Sequence, residues 1–338
     1  MTKALKVGDI ILKHGLMLAP MAGFSDRAMR LTTKRLGAEY TTTEMVSAKA
    51  IVYEDKKTAA LARIEADEAP SAVQIFGSEP DFMAEAAKII SSGKFGGVKP
   101  AAIDINMGCP VPKIFKNNEG SALMQSPKLI ERIVLSVKEA TPLPVTVKLR
   151  LGIDERHVNV LECAQRAEAG GASLVVIHGR TRAQQYSGEA RYEEIKKAKK
   201  CLQIPVIANG DITSAKKALE VLEFTGADGI MIGRGAIGNP FIFREIAMSL
   251  SKETYTPPAI SERAEAALSQ LRLAIEDKGE LTAVREARGS IAQYFHSFRG
   301  AAAFRAKLNR AESYFEIAEA IKRIIEENKK ITQTGDTI

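Results

Sequence analysis

The stretch PVTVKLRLG, residues 144–152, alternates between two kinds of side chain. Positions 145, 147, 149 and 151 are apolar, whereas the positions between them hold Thr146, Lys148 and Arg150. Because successive side chains of a β-strand point to opposite faces, this pattern predicts a strand with one apolar and one polar face. A lysine in such a strand is costly to bury unless an anion or a dipole pairs with it. Lys148 is therefore predicted to contact a ligand.

Seven further apolar runs share the rhythm of this strand. Most are separated by segments with apolar residues at helical spacing, such as residues 80–93 and 126–140. This βα alternation is typical of a parallel sheet, and eight repeats predict an α/β fold of the (βα)8 TIM-barrel type. The predicted strands lie at residues 16–23, 40–48, 71–77, 102–109, 144–152, 174–181, 205–212 and 229–238, after a small hairpin at 6–15.

The pattern changes after residue 250, where a barrel domain at 1–250 is predicted to end. Residues 251–260 contain paired prolines and are predicted to be a linker. Residues 261–331 have helical spacing throughout, which predicts an all-helical bundle domain, followed by a tail at 332–338. Residues 285–310 carry six cations against the single acid Glu286. Such an excess marks either a nucleic-acid-binding patch or a solvated helix face.

Composition narrows the class of protein. The 338 residues carry a net charge of +7, which favours an anionic partner such as nucleic acid or a phosphorylated small molecule. No stretch reaches the roughly 18–20 apolar residues that a membrane span requires, and the N-terminus lacks the pattern of a signal peptide. Cys109, Cys163 and Cys201 are odd in number and lack CxxC spacing, which predicts reduced thiols. We expect a cytoplasmic monomer without a membrane partner or a metal.

Polar residues concentrate near the predicted strand ends. In TIM barrels the site lies at the C-terminal ends of the strands, where inward-facing side chains meet. Besides Lys148, strand parity turns the following side chains inward: Gln74, Asp104, Asn106, His178, Arg180, Asn209 and Asp211. So many inward polar groups argue against a purely structural core.

Glycines at the last two strand ends predict a phosphate site. Gly210, Gly233 and Gly235 allow backbone to approach an anion closely, and Arg234 adds positive charge. Residues 233–238 also fit GxGxxG, but no strand follows to complete a βαβ unit, which argues against a Rossmann site. Flavin mononucleotide (FMN) fits these features, and a sugar-phosphate substrate is also compatible with them.

Motifs at the strand ends resemble those of the tRNA-dihydrouridine synthases, most closely the bacterial B-type subfamily. They include APMAGFSD (19–26), VQIFGSEP (73–80), VKLRLG (147–152), IHGRTR (177–182) and IGRGAIGNPFIF (232–243). The most specific is DINMGCPVPKIFKNNEGSAL (104–123), in which N-x-G-C-P is followed at a fixed distance by Gly-Ser.

The resemblance implies an FMN enzyme that reduces the C5–C6 double bond of particular uridines in tRNA, with NADPH as reductant and the helical domain binding the RNA. It implies that hydride reaches C6 of a flipped-out uracil while Cys109 donates a proton to C5 from the opposite face. A thiol suits this task because its pKa, near 8.5, keeps it protonated at neutral pH. By motif match, the cofactor contacts are Pro20, Met21, Ala22, Gln74, Lys148, His178, Asn209, Gly210, Asp211, Gly233 and Arg234. The predicted substrate contacts are Asn106 and Arg180 at the base, and Arg285, Arg288 and Arg299 on the RNA.

Two alternatives stay open at this stage. A dihydroorotate-dehydrogenase-like enzyme would use the same barrel and FMN on a free pyrimidine, but the added basic helical domain and the motif around Cys109 disfavour it. A non-catalytic RNA-binding protein would use the barrel as a scaffold only, which the complete set of predicted flavin contacts disfavours.

Overall fold

The computed structural model describes residues 4–334, so the predicted tail at 332–338 lies partly outside the described residues. The strands are β1 Leu5–Val7, β2 Ile10–Leu12, β3 Leu16–Leu18, β4 Thr41–Thr42, β5 Val46–Ser47, β6 Ser71–Phe76, β7 Ile103–Met107, β8 Val145–Leu149, β9 Leu174–His178, β10 Val206–Asn209 and β11 Gly229–Ile232. All eight predicted barrel strands are present, the second split into β4 and β5. The predicted hairpin is the antiparallel pair β1 and β2.

The barrel strands pair in parallel around a closed sheet. Their order is β3, β11, β10, β9, β8, β7, β6, β4, with β5 also on β6. A bridge between Met17 and Tyr40 joins the first strand to the second and closes the ring. The predicted TIM-barrel class is thereby confirmed.

Helices cover the barrel and form the C-terminal bundle. They are α1 Arg27–Arg35, α2 Ala48–Val52, α3 Lys56–Ala62, α4 Pro80–Ser91, α5 Pro112–Lys116, α6 Pro127–Ala140, α7 Val160–Ala169, α8 Glu193–Cys201, α9 Ala215–Thr225, α10 Ile242–Leu250, α11 Ile260–Lys278, α12 Glu280–Tyr294, α13 Ala301–Leu308 and α14 Tyr314–Thr334. Within residues 4–334, no helix combines the length and the apolar character needed to cross a membrane.

Strand parity divides the barrel core into two layers. Val145, Val147 and Leu149 of β8 pack in the cluster between strands and helices, as their alternation predicts. A second cluster inside the barrel contains Met17, Tyr40, Leu174, Val176 and Met231. The hairpin side chains Leu5, Val7 and Leu12 belong to that inner cluster, so the hairpin covers one end of the barrel. The opposite end, where the strands finish, is left for a site.

Helices α11 to α14 form a core of their own that packs on α1. That core includes Ala28 and Leu31 of α1. Charged contacts join the same surfaces: Arg27 lies 3.2 Å from Asp277, and Lys278 lies 2.7 Å from Asp26. Asp26 also caps α1 by accepting from the N–H of Met29. The bundle is therefore fixed against the loop that leads from β3 into α1.

Candidate active site

A cavity of about 740 Å³ opens at the C-terminal ends of the barrel strands. This volume is typical of sites for small molecules and cofactors. Every predicted cofactor residue lines the cavity, namely Pro20, Met21, Ala22, Gln74, Lys148, His178, Asn209, Gly210, Asp211, Gly233 and Arg234. Cys109 and Asn106 lie on the same wall. The structure thus brings together residues from most of the strand ends.

Cys109 is held through both of its backbone polar groups. Its N–H donates to Asn106 Oδ1 at 2.9 Å, and its carbonyl accepts from the Ser121 hydroxyl at 2.7 Å. Gly120 has a φ of +61°, and a Cβ there would lie 3.0 Å from the Cys109 Cβ. These contacts explain the N-x-G-C-P and Gly-Ser spacing of the sequence.

The Cys109 thiol is set up to stay protonated. Burial raises its pKa, and this effect outweighs a hydrogen bond from the Val111 backbone and the positive charges of Arg150 and Lys148, all of which favour the thiolate. The side chain nevertheless reaches the cavity, since it is 9% exposed. A thiol in this setting can act as a general acid at neutral pH.

Lys148 projects into the cavity beside Asn209. Its Nζ lies 2.9 Å from Asn209 Oδ1, and the Asn209 amide nitrogen donates to the carbonyl of Met231 at 2.8 Å. Burial, together with the charge of Arg150, lowers the pKa of Lys148 to about 8. Lys148 is therefore mostly charged at pH 7 and titrates close to neutrality.

His178 and Gly210 pack together on the adjacent wall. Burial and the surrounding cations lower the pKa of His178 far below its ordinary value, so the imidazole is neutral. Gly210 has a φ of +123°, and a Cβ there would lie 2.7 Å from the Cβ of Ala190 and 3.0 Å from His178 Cδ2. Only glycine fits this position without displacing His178.

Arg180 is not among the residues that line the cavity, so its predicted role as a base contact stays a prediction. The side chain is buried, and its guanidinium pairs with both oxygens of Asp211 at 2.7 and 2.8 Å. It also donates to the carbonyls of Ser187 and Gly188. Arg180 lies two residues beyond the end of β9, and its guanidinium reaches the neighbouring loop. Arg180 therefore positions Asp211 and that loop.

Arg150 and Tyr186 were not assigned to the site from sequence, yet both line the cavity. Arg150 donates to the carbonyls of Gly108 at 2.8 Å and Thr181 at 2.9 Å. The Tyr186 ring is 54% exposed and lies 5.7 Å from the Arg150 guanidinium and 4.7 Å from that of Arg234. The position of Arg150 on the polar face of its strand could have predicted a place in the site, whereas Tyr186 lies in a loop without periodicity.

The predicted RNA contacts of the bundle lie outside the cavity lining. Arg285 lies 3.4 Å from Glu312, and Arg299 is exposed. Arg288 is half-buried and donates to the carbonyl of Ala311 at 3.0 Å. Arg288 therefore fastens the connection between α13 and α14, a structural contact that the sequence did not predict.

Comparison with known proteins finds a matching family model and relatives that align with almost the whole chain. The family model described as Dihydrouridine synthase (Dus) matches residues 17–330. A relative named tRNA-dihydrouridine synthase B from Pseudomonas putida is 38% identical over 336 residues, 98% of each chain. The protein of that name from Vibrio cholerae is 41% identical over 320 residues, which cover 94% of this chain and 98% of the relative.

Solved structures with a similar fold are more distant in sequence. The 6-hydroxypseudooxynicotine amine oxidase from Pseudomonas geniculata has a TM-score of 0.58 at 14% identity, covering 86% of this chain and 52% of its own. A 2-naphthoyl-CoA reductase has a TM-score of 0.55 at 13% identity, covering 73% of this chain and 52% of its own. This chain thus aligns with about half the length of these larger proteins, and the likeness concerns the fold alone.

Proposed function

The chain belongs to the dihydrouridine synthase family, and from this premise we propose that it reduces the C5–C6 double bond of uridines in tRNA. The proposal includes FMN as cofactor and NADPH as the source of reducing equivalents. The observation that carries it is the position of Cys109, whose thiol lies on the wall of the cavity and whose backbone is held through its N–H and its carbonyl.

The residues of the cavity fit FMN. Ala19, Met21 and Met231 provide apolar surface for a planar ring. Gln74 and Lys148 provide polar contacts for its heteroatom edge, and Gly210, Gly233 and Arg234 line the part where sequence predicts a phosphate. When bound and reduced, the flavin supplies the hydride.

The residues of the chain then supply the proton and the electrostatics. Cys109 donates the proton that C5 of the uracil requires. Lys148 and Arg150 keep the cavity positive, which favours the negative charge that a uracil carbonyl acquires during reduction. Asn106 is proposed to contact the base, and Tyr186 offers an exposed ring on which a flipped-out base can stack.

The remaining assignments concern the RNA and the domains. We assign catalysis to residues 1–250, the linker to 251–260 and tRNA binding to the bundle at 261–331. The exposed Arg299 and Arg285 are proposed to contact phosphates of the RNA. The positive net charge of +7 supports an anionic macromolecular substrate. We propose that the protein works as a monomer in the cytoplasm.

The proposal is tested by reduction of tRNA that lacks dihydrouridine. Purified protein is loaded with FMN, supplied with NADPH and offered this tRNA or free uridine, and dihydrouridine is measured by mass spectrometry. We expect product from tRNA only, loss of product in Cys109→Ala, and retention in Cys163→Ala, which changes a buried cysteine of α7. Equal reduction of free uridine would favour the free-pyrimidine alternative, and a protein that binds no FMN would contradict the catalytic proposal.

A further inference from the structure

Asp104 is a buried carboxylate beneath the cavity to which the proposed reaction gives no task. It is 4% exposed and is the second residue of β7. Burial raises its pKa to about 6, although hydrogen bonds from Thr146 and Gln74 and the charge of Lys148 lower it. The carboxylate is therefore mostly ionised at pH 7, and a buried charge is retained at a cost in stability.

Asp104 begins a chain of hydrogen bonds that ends at the backbone of Cys109. Gln74 Nε2 donates to Asp104 Oδ2 at 2.6 Å, and Asn106 Nδ2 donates to Gln74 Oε1 at 2.8 Å. Asn106 Oδ1 accepts from the N–H groups of Cys109 at 2.9 Å and Gly108 at 3.2 Å. We name Asp104, Gln74 and Asn106 the amide relay. All three side chains are buried, so their polar groups depend largely on one another.

The direction of the amide relay is fixed from the Cys109 end. Backbone N–H groups only donate, so Asn106 must present its oxygen to Gly108 and Cys109, and its NH2 group then faces Gln74. Gln74 must in turn present its oxygen to Asn106 and its NH2 group to the next member. The relay is satisfied only if that member offers an acceptor, which Asp104 does. Thr146 donates to the other oxygen of Asp104, so both oxygens of Asp104 accept hydrogen bonds.

We propose that Asp104 is a positioning residue for Cys109, acting as the terminal acceptor that orients the amides of Gln74 and Asn106 and thereby holds the thiol-bearing backbone. The importance of this positioning for catalysis rests on the proposed function of Cys109. The placement of the loop does not rest on that function, because it is tested without substrate. An apolar residue at position 104 leaves the Gln74 NH2 group without a partner. Gln74 can satisfy that group only by swinging toward the cavity that it lines, which withdraws its oxygen from Asn106 and loosens the hold of Asn106 on Gly108 and Cys109.

The natural thiols of the chain provide the test. Cys109 reports on the loop, and Cys163, buried in α7, reports on the integrity of the whole fold. The exposed Cys201 is changed to Ser in every variant so that it does not consume reagent. Alkylation of each thiol by iodoacetamide is followed by peptide mass spectrometry in the full-length protein, together with amide exchange of residues 107–111.

Three variants separate the contributions. Asp104→Leu removes the acceptor, Asp104→Asn keeps an oxygen for Gln74, and Thr146→Val removes only the other hydrogen bond of Asp104. We expect Asp104→Leu to speed alkylation of Cys109 roughly tenfold, as loss of one hydrogen bond allows, with Cys163 unchanged. Asp104→Asn and Thr146→Val should stay within about twofold of the parent, since both keep an acceptor facing Gln74.

The opposite outcomes overturn the proposal. An unchanged Cys109 rate in Asp104→Leu would show that the relay does not hold the loop. A rate in Asp104→Asn as high as in Asp104→Leu would show that charge, rather than the acceptor, matters. A parallel rise at Cys163 would mean general loosening of the fold. If Asp104→Leu does not fold, Gln74→Met breaks the relay at its centre, and an unchanged Cys109 rate there has the same meaning.

Discussion

The buried ion pair between Arg30 and Glu68 is expected to be a sensitive point of the barrel. Arg30 Nε lies 2.6 Å from Glu68 Oε2, and the two side chains are 5% and 0% exposed. Arg30 also donates to the carbonyl of Ser25 at 2.8 Å, and Glu68 accepts from the N–H of Glu65 at 2.9 Å. In Glu68→Leu the guanidinium stays buried without its counter-charge.

The size of the effect follows from this burial. Removing one partner of a buried pair costs about 3–5 kcal/mol, because the remaining charge is uncompensated. The unfolding entropy of a 338-residue chain is about 0.7 kcal/mol per kelvin, at about 2.1 cal/mol/K per residue. Glu68→Leu should therefore lower the melting temperature by about 4–7 °C if the chain unfolds as one unit.

A double-mutant cycle measured by calorimetry checks this reasoning. Arg30→Met/Glu68→Leu removes both charges, so it should recover most of the stability that either single variant loses. FMN binding should respond differently from the melting temperature.

Arg30 donates to the carbonyl of Ser25, Ser25 Oγ accepts from the N–H of Met21 at 2.8 Å, and Met21 lines the cavity. Arg30→Met and the double variant both lack this support, so both should bind FMN more weakly than the parent. The reasoning is refuted if Glu68→Leu melts within 1 °C of the parent or if the double variant is no more stable than the singles.

Three other perturbations have defined outcomes. Burial lowers the pKa of Lys148 to about 8, so its positive charge is lost as the pH rises through that value. FMN affinity, measured by fluorescence, should therefore fall between pH 7 and 9 in the parent protein but not in Lys148→Arg. Gly210→Ala should weaken FMN binding strongly, whereas Gly226→Ala, which also has a positive φ but has open space around it, should lower only the melting temperature. Lys278→Met removes a contact with Asp26, so amide exchange of residues 21–27 should increase, and unchanged exchange would argue against coupling between bundle and cavity.

The sequence was most informative where a pattern has one structural solution. Strand alternation predicted which side chains of β8 pack against helices, and the structure agrees. The motif around Cys109 had the most specific spacing in the sequence, and the contacts of Asn106 and Ser121 explain that spacing. Such patterns are local, so they can be interpreted before the fold is known.

Other features depend on distances that sequence does not contain. Alternation predicts the face on which Arg180 lies, but it does not predict where the end of the long side chain is. In the structure the guanidinium pairs with Asp211. Tyr186 lines the cavity from the loop between β9 and α8, a position that no periodicity predicts. Arg288 meets Ala311 only through the packing of the bundle helices. In each case tertiary geometry decides the contact.

The amide relay shows how strand register creates a site that neither strand contains alone. Gln74 of β6 is in register with Asp104 of β7, and Asp104 is in register with Thr146 of β8. Inward side chains at such positions lie close enough to hydrogen-bond across strands. A slip of one residue would turn Asp104 toward the helices and separate it from Gln74. The apolar outer faces that pack against the helices therefore also fix the polar contacts inside, so that the register stabilising the barrel is the one that places Cys109.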